Sequence, residues 1–225
     1  VKLATGVKGK FSTSACTLPA TAEKFSYEWE RGPGPKPKFT LKIKELTVAT
    51  LETITKRQVI CKGQTGAGEY TGHKTVGSVT FDFVGCEMSS VKCSSLGAAE
   101  GEVKSNTLSG QLGVVKTSTE GPLKNTIGMD LFPAVEGGAA LEFTCGVTPS
   151  TVRGSVIVVV SRNAMKLSST LPYSESSGKQ KPERFEGQPK DVFEASLNEA
   201  AFEQTGLKLT TIQTNEEKIE INSVA

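Results

Sequence analysis

The chain is predicted to fold as an all-β protein of two packed sheets, β-sandwich-like and stapled by disulfides, with an extended N-terminal arm. Three observations predict this. Residues 151–161, TVRGSVIVVVS, form the most apolar run, and Val156, Ile157, Val158, Val159 and Val160 are all β-branched. Such side chains are stiff at χ1 and suit a pleated sheet, so this run is expected as a central strand covered on both faces. Several other segments alternate apolar and polar residues with a period of two, the mark of half-buried strands. Cysteine, glycine, threonine and serine are spread along the chain, while segments of helical period are scarce.

Composition narrows the function classes. Lys plus Arg number 26 and Asp plus Glu 24, so nothing suggests the clustered basic excess of a nucleic-acid binder. Only Asp82, Asp130 and Asp191 are aspartate, which argues against calcium loops of the D-x-D-x-D-G type. His73 is the single histidine. It leaves no multi-histidine metal site and one candidate for a histidine base. No cofactor or metal is expected. No apolar run approaches the roughly 18 residues of a membrane-spanning helix, so no membrane span is expected. The chain opens Val-Lys-Leu rather than with Met, which fits removal of a secretory signal.

Taken in order, residues 1–17 read as the extended arm and 18–225 as a single β domain, with a subdivision considered near 174–190. Phe25, Tyr27 and Trp29 alternate with polar neighbours and predict an aromatic strand. RGPGPKPK at 31–38 stops it, since prolines supply no ladder donors. Residues 39–46 alternate again, followed by strands over 47–55 and 57–61 with a turn near Lys56. Residues 63–68 read as a glycine-rich loop and 75–84 as a strand. Cys61 and Cys86 then end neighbouring strands, with a long loop carrying His73 between them. The passage after Cys93 loosely echoes the one after Cys61, each reaching Gly-Glu seven or eight residues on. Residues 127–133 and 139–145 make a hairpin around Glu136-Gly137-Gly138. After the apolar run comes a strand over 165–173 and a polar surface excursion over 174–189. Residues 191–202 suit either a strand or a short helix. Two alternating strands, 207–214 and 217–224, close the chain around Asn215-Glu216.

Five cysteines without C-x-x-C spacing favour structural disulfides over zinc or redox chemistry. The expected pairs are Cys61 with Cys86 and Cys93 with Cys145, leaving Cys16 odd. The chain contains no G-x-S-x-G, H-E-x-x-H, P-loop or dinucleotide fingerprint. No catalytic residue is assigned, because His73 sits between Gly72 and Lys74 in what reads as a solvated turn. The stripe Phe25, Tyr27 and Trp29 could stack on sugars, although a core-facing strand explains it as well. In the arm, Val1, Leu3, Val7 and Phe11 fall at odd positions and the lysines at even ones. An extended strand with one apolar face can add to a neighbour's sheet. The alternative is an arm that folds back on its own domain.

The phrases ERGPGPKPKFT, AGEYTGHKTV with FVGC, AAEGEVKSNTLSGQLGVV, VRGSVIVVV, GKQKPERFEGQPKDVFEASLN and TNEEKIEINSV resemble a group of secreted proteins found in many copies in soil actinobacteria of the Thermoleophilia type. The resemblance covers nearly the whole chain. It implies export by a signal peptide, an extracellular or cell-surface location and an all-β fold, and it implies no activity. Members carry a further cysteine just before the position of Val1, which would be a partner for Cys16. The functional expectation is a non-catalytic structural or surface protein, self-associating head-to-tail into a filament through the arm. The alternatives are a carbohydrate-binding module using Tyr27 and Trp29, in contact with cell wall or glycan, and a glutamate-based glycosidase.

Overall fold

The computed structural model describes residues 2–13, 16, 18–189 and 193–223. Its strands are β1 (Lys38–Ile43), β2 (Ala49–Thr53), β3 (Gln58–Cys61), β4 (Gly63–Tyr70), β5 (Thr75–Val84), β6 (Glu87–Met88), β7 (Val91–Ser94), β8 (Glu102–Lys104) and β9 (Leu108–Lys116). They continue as β10 (Thr126–Pro133), β11 (Ala139–Cys145), β12 (Thr148–Arg153), β13 (Val156–Val159), β14 (Lys166–Ser176), β15 (Lys179–Lys181), β16 (Arg184–Phe185), β17 (Gln188–Pro189), β18 (Glu194–Ser196) and β19 (Glu203–Ile219). The described residues hold no α-helix, only a short 3₁₀ turn at Pro122–Lys124. The protein is therefore all-β, as its composition predicts.

The sheets do not stack as a sandwich. They curl around two lumens that share β19. The first is a closed ring in the order β19–β2–β3–β6–β7–β11–β12–β18 and back to β19, antiparallel at each joint. Closure leaves no exposed edge, which two flat sheets could not achieve. Alternation sends Leu51, Val59, Cys61, Cys93, Phe143 and Val152 into this ring, and all six are buried. The second lumen is larger. Its wall runs β14–β19–β1–β4–β5–β9–β10–β13. Phe39, Leu41, Val79, Phe81, Met129, Leu131, Val158 and Tyr173 fill it. β13 and β14 lie side by side; the registered ladders join β13 to β10 and β14 to β19 and β15, so this wall has one seam. The 17 residues of β19 serve the small ring with their first third and the large wall with the rest.

Several expectations are corrected here. The apolar run is not one central strand. It breaks at Gly154, whose φ is +86°, into β12 in the small ring and β13 in the large wall. It is apolar throughout because it carries the chain from one core to the other. Residues 63–68 are a strand, not a loop. A Cβ at Gly68 would sit 2.5 Å from the Phe39 ring, and one at Gly66 would sit 2.2 Å from the Thr80 carbonyl. The glycines make room for a large ring in the lumen and for a neighbouring strand. The loop carrying His73 is short, joining β4 to β5 directly. Residues 207–214 and 217–224 are not two strands around a turn. Asn215 is buried and bonded to Gln213 within continuous β19. The excursion at 174–189 is structured: the β14–β15 hairpin, then β16 and β17, whose Phe185 fills the space left by Gly113. In 193–202 the chain forms strand β18 and no helix; Asp191 lies outside the described residues.

The disulfides join Cys61 to Cys86 and Cys93 to Cys145, and Cys16 is a free, buried thiol. Both bridges sit at short joints of the small ring. β3 meets β6 through the single pair Ile60–Glu87, beside Cys61–Cys86. β7 meets β11 through two pairs, one of them Cys93–Cys145 itself. The covalent bonds complete a ring whose hydrogen bonds are sparse at those joints.

Candidate functional site

The N-terminal segment, of which residues 2–13, 16 and 18–37 are described, lies at the mouth of the large barrel, beside Tyr70, His73 and the end of β19. It does not form the predicted aromatic strand. Residues 25–29 take part only in isolated bridges, with Lys2 and Phe11 opposite Tyr27. The arm is likewise not a free extended arm. It folds back on its own chain: the Leu3 amide donates to Ser26 O (2.7 Å), Gly9 to Phe25 O (2.6 Å) and Phe11 to Tyr27 O (3.0 Å). The edge of Phe11 meets Trp29, with ring centroids 6.2 Å apart, and Lys8 lies over Phe25. Yet the apolar side of the arm is poorly covered. Val7 is 50% exposed, and Leu3 and Phe11 are only half-buried. Val1 lies outside the described residues. The Cys16 thiol points at the Glu28 carbonyl, 3.8 Å away, and its burial removes it from cross-linking while this segment keeps its place.

Between this segment and the barrel mouth runs a cleft of about 770 Å³. Trp29, Arg31, His73, Glu186, Glu217 and Glu220 line it, and Tyr27 does not. The RGPGPKPK segment crosses it as a strap. Its glycines are required by proximity: a Cβ at Gly34 would meet the Glu217 carboxylate at 1.8 Å, and one at Gly32 would touch the His73 ring at 3.6 Å. The Lys36 amide donates to Glu217 Oε1 at 3.3 Å. Burial raises the Glu220 carboxyl above its ordinary value. The sequence marked Trp29 and His73 separately; that they share a cleft depends on the strap, whose glycine–proline alternation was the available signal.

A second feature is the large lumen itself. A cavity of about 40 Å³ remains inside, room for about one water, and its lining reaches Val158, Val160, Ser169 and Leu171 at the β13–β14 seam. Polar groups cluster at its mouth end. The Gln213 side-chain amide donates to the Tyr70 hydroxyl (2.6 Å), which donates to Asn215 Oδ1 (3.3 Å). Deeper in, Thr211 Oγ1 donates to Gln64 Oε1 at 2.8 Å, both buried. A third hollow, about 890 Å³, lies against the small ring beside Lys56, Arg57 and Lys62. Lys56 is paired there with Glu52, and Arg57 donates to Leu197 O. Among the described residues no group of three or more His, Cys, Asp or Glu is placed to hold a metal, and no helix is long and apolar enough to cross a membrane.

Comparisons with protein-family models, with curated proteins and with solved structures find no match to this chain. The geometry is the whole basis for a functional reading.

Proposed function

We propose that this protein is an exported, non-catalytic structural subunit that assembles head-to-tail into an extracellular filament through its N-terminal arm. One observation carries the reading. The arm has the alternation of a one-sided strand, but within its own chain it is held by isolated bridges and leaves Val7 half exposed. A strand so loosely engaged can exchange onto another copy at low cost, since the bonds it gives up are few. Two disulfides are compatible with an oxidising compartment. The stapled, closed ring supplies the rigidity that a load-bearing subunit needs. A head-to-tail contact does not close on itself and so propagates.

Negative-stain electron microscopy of the full chain, beside a chain lacking residues 1–10, tests this. Filaments from the first and none from the second are expected. Filaments from both, or from neither at high concentration, would reject it.

A second reading has its own observation: Trp29 in a roomy cleft with carboxylates, a form suited to stacking on a sugar ring. Glycan binding lost on Trp29→Ala would favour it. Turnover of a polysaccharide, lost on Glu217→Gln or Glu220→Gln, would favour a glycosidase instead.

A further inference from the structure

We infer that the arm of one copy is received by residues 18–29 of the next, the same seat that it occupies in its own chain. This rests on the assembly reading and names the missing half of its contact. The seat is already shaped to the arm. Tyr27 bridges Lys2 on one side and Phe11 on the other, so the arm flanks residues 25–27 with both of its ends. The Leu3 amide donates to Ser26 O, while Gly9 and Phe11 donate to Phe25 O and Tyr27 O. Lys10 O accepts from the Ala20 amide, and Ser12 donates to Leu18 O. The Phe11 ring meets Trp29, and Lys8 lies over Phe25. Each of these contacts runs from the arm to residues 18–29. An arm from a second copy therefore reproduces them without any change in the seat, the exchange of identical elements that links protomers at low cost.

The connection between arm and seat supplies the means of exchange. At residues 13–16 the chain turns: the Cys16 amide donates to Thr13 O at 2.9 Å, and Cys16 holds a φ of +48°. A residue with a Cβ is strained in that left-handed region. Straightening the turn releases the strain and carries the arm off its own seat, and strained hinges of this kind favour exchange. Outside the arm itself, its described backbone bonds all go to residues 18–27, so exchange opens no strand of either barrel. The copy's own arm competes for the seat at an effective concentration on the order of mM. Exchange therefore sets in as protein concentration rises, and unreciprocated exchange propagates from copy to copy.

A photo-cross-linking phenylalanine analogue at position 11 of the full chain tests the seat. Assemblies are grown from mixed ¹⁴N and ¹⁵N protein, so that links between copies are told from links within one. In assembled material, links from position 11 to residues 18–29 of the other isotope are expected, while the monomer gives the same links within one copy. Links between copies that map elsewhere, or assemblies in which position 11 links only within its own copy, would overturn the seat while leaving assembly intact. Links to the seat in a species that stops at two chains would uphold the seat and overturn the filament, since reciprocal exchange closes. No assembly at any concentration would overturn both. The hinge is read by comparing Cys16→Gly with Cys16→Ala, which lose the same thiol. Glycine alone relieves the left-handed φ, so Cys16→Gly should begin to assemble at a concentration about tenfold above that of Cys16→Ala. Equal onsets would overturn the strained hinge.

Discussion

Tyr70 and Thr211 show how single polar side chains are accommodated in the large lumen. Burial pushes the Tyr70 phenol up to about 12, opposed by the hydrogen bond it accepts from Gln213, and burial also raises Tyr173. A phenol raised in the fold above its unfolded value of about 10 adds stability that is present below pH 10 and lost as pH climbs through the folded value. Tyrosinate absorbance is therefore expected to rise together with unfolding above pH 10, followed by circular dichroism on the same samples. Two tyrosines ionising at ordinary pH in a still-folded chain would contradict this. Thr211 makes the complementary case. Removing its hydroxyl in Thr211→Val strands the Gln64 oxygen, at an expected cost of about 1–3 kcal/mol in urea unfolding. Adding Gln64→Leu should recover part of that loss, because a pair removed together leaves no orphan.

At the scale of elements, the disulfides and the arm make opposite predictions. Cys93–Cys145 closes a joint of two residue pairs across a sequence separation of 52, and Cys61–Cys86 a joint of one pair across 25. Replacing either pair of cysteines with alanine is expected to cost about 2–5 kcal/mol. The arm should respond to a single methyl group. A Cβ at Gly9 would lie 2.1 Å from the Tyr27 carbonyl oxygen. Gly9→Ala should therefore unseat the arm from residues 25–27 of any copy and abolish assembly, read by light scattering; assembly kept or quickened would count against exchange. The elements also show what the residues could and could not tell. Alternation identified Phe39 and Leu41 and Val79 to Phe83, because each has one buried face. Residues 127–133 and 139–145 are strands as expected but not a hairpin: β10 ladders with β9 and β13 in the large wall, and β11 with β7 and β12 in the small ring. Alternation misread glycine-rich β4, since Gly66 and Gly68 record the bulk of Phe39 and the closeness of Thr80, which lie elsewhere in the sequence. It split β19 at Asn215, a residue that favours turns unless its amide is satisfied, as it is here by Gln213 and Tyr70. The stripe of Phe25, Tyr27 and Trp29 has strand periodicity but finds no ladder partner, so pattern alone overcalled it.

For the molecule as a whole, the fold class was legible and the closure was not. A period of two states which face is buried but not which strand is the neighbour. Two barrels sharing one strand arise from pairings such as β7–β11 and β2–β19, between residues far apart in sequence. The arm, by contrast, has strand periodicity and joins its own chain through isolated bridges. The proposed assembly rests on that arm linking one copy to the next. Sedimentation velocity of the full chain over a wide concentration range tests it most directly. The prediction is a mass that grows with concentration and returns to that of one chain when residues 1–10 are removed; a full-length protein that stays monomeric throughout would contradict it.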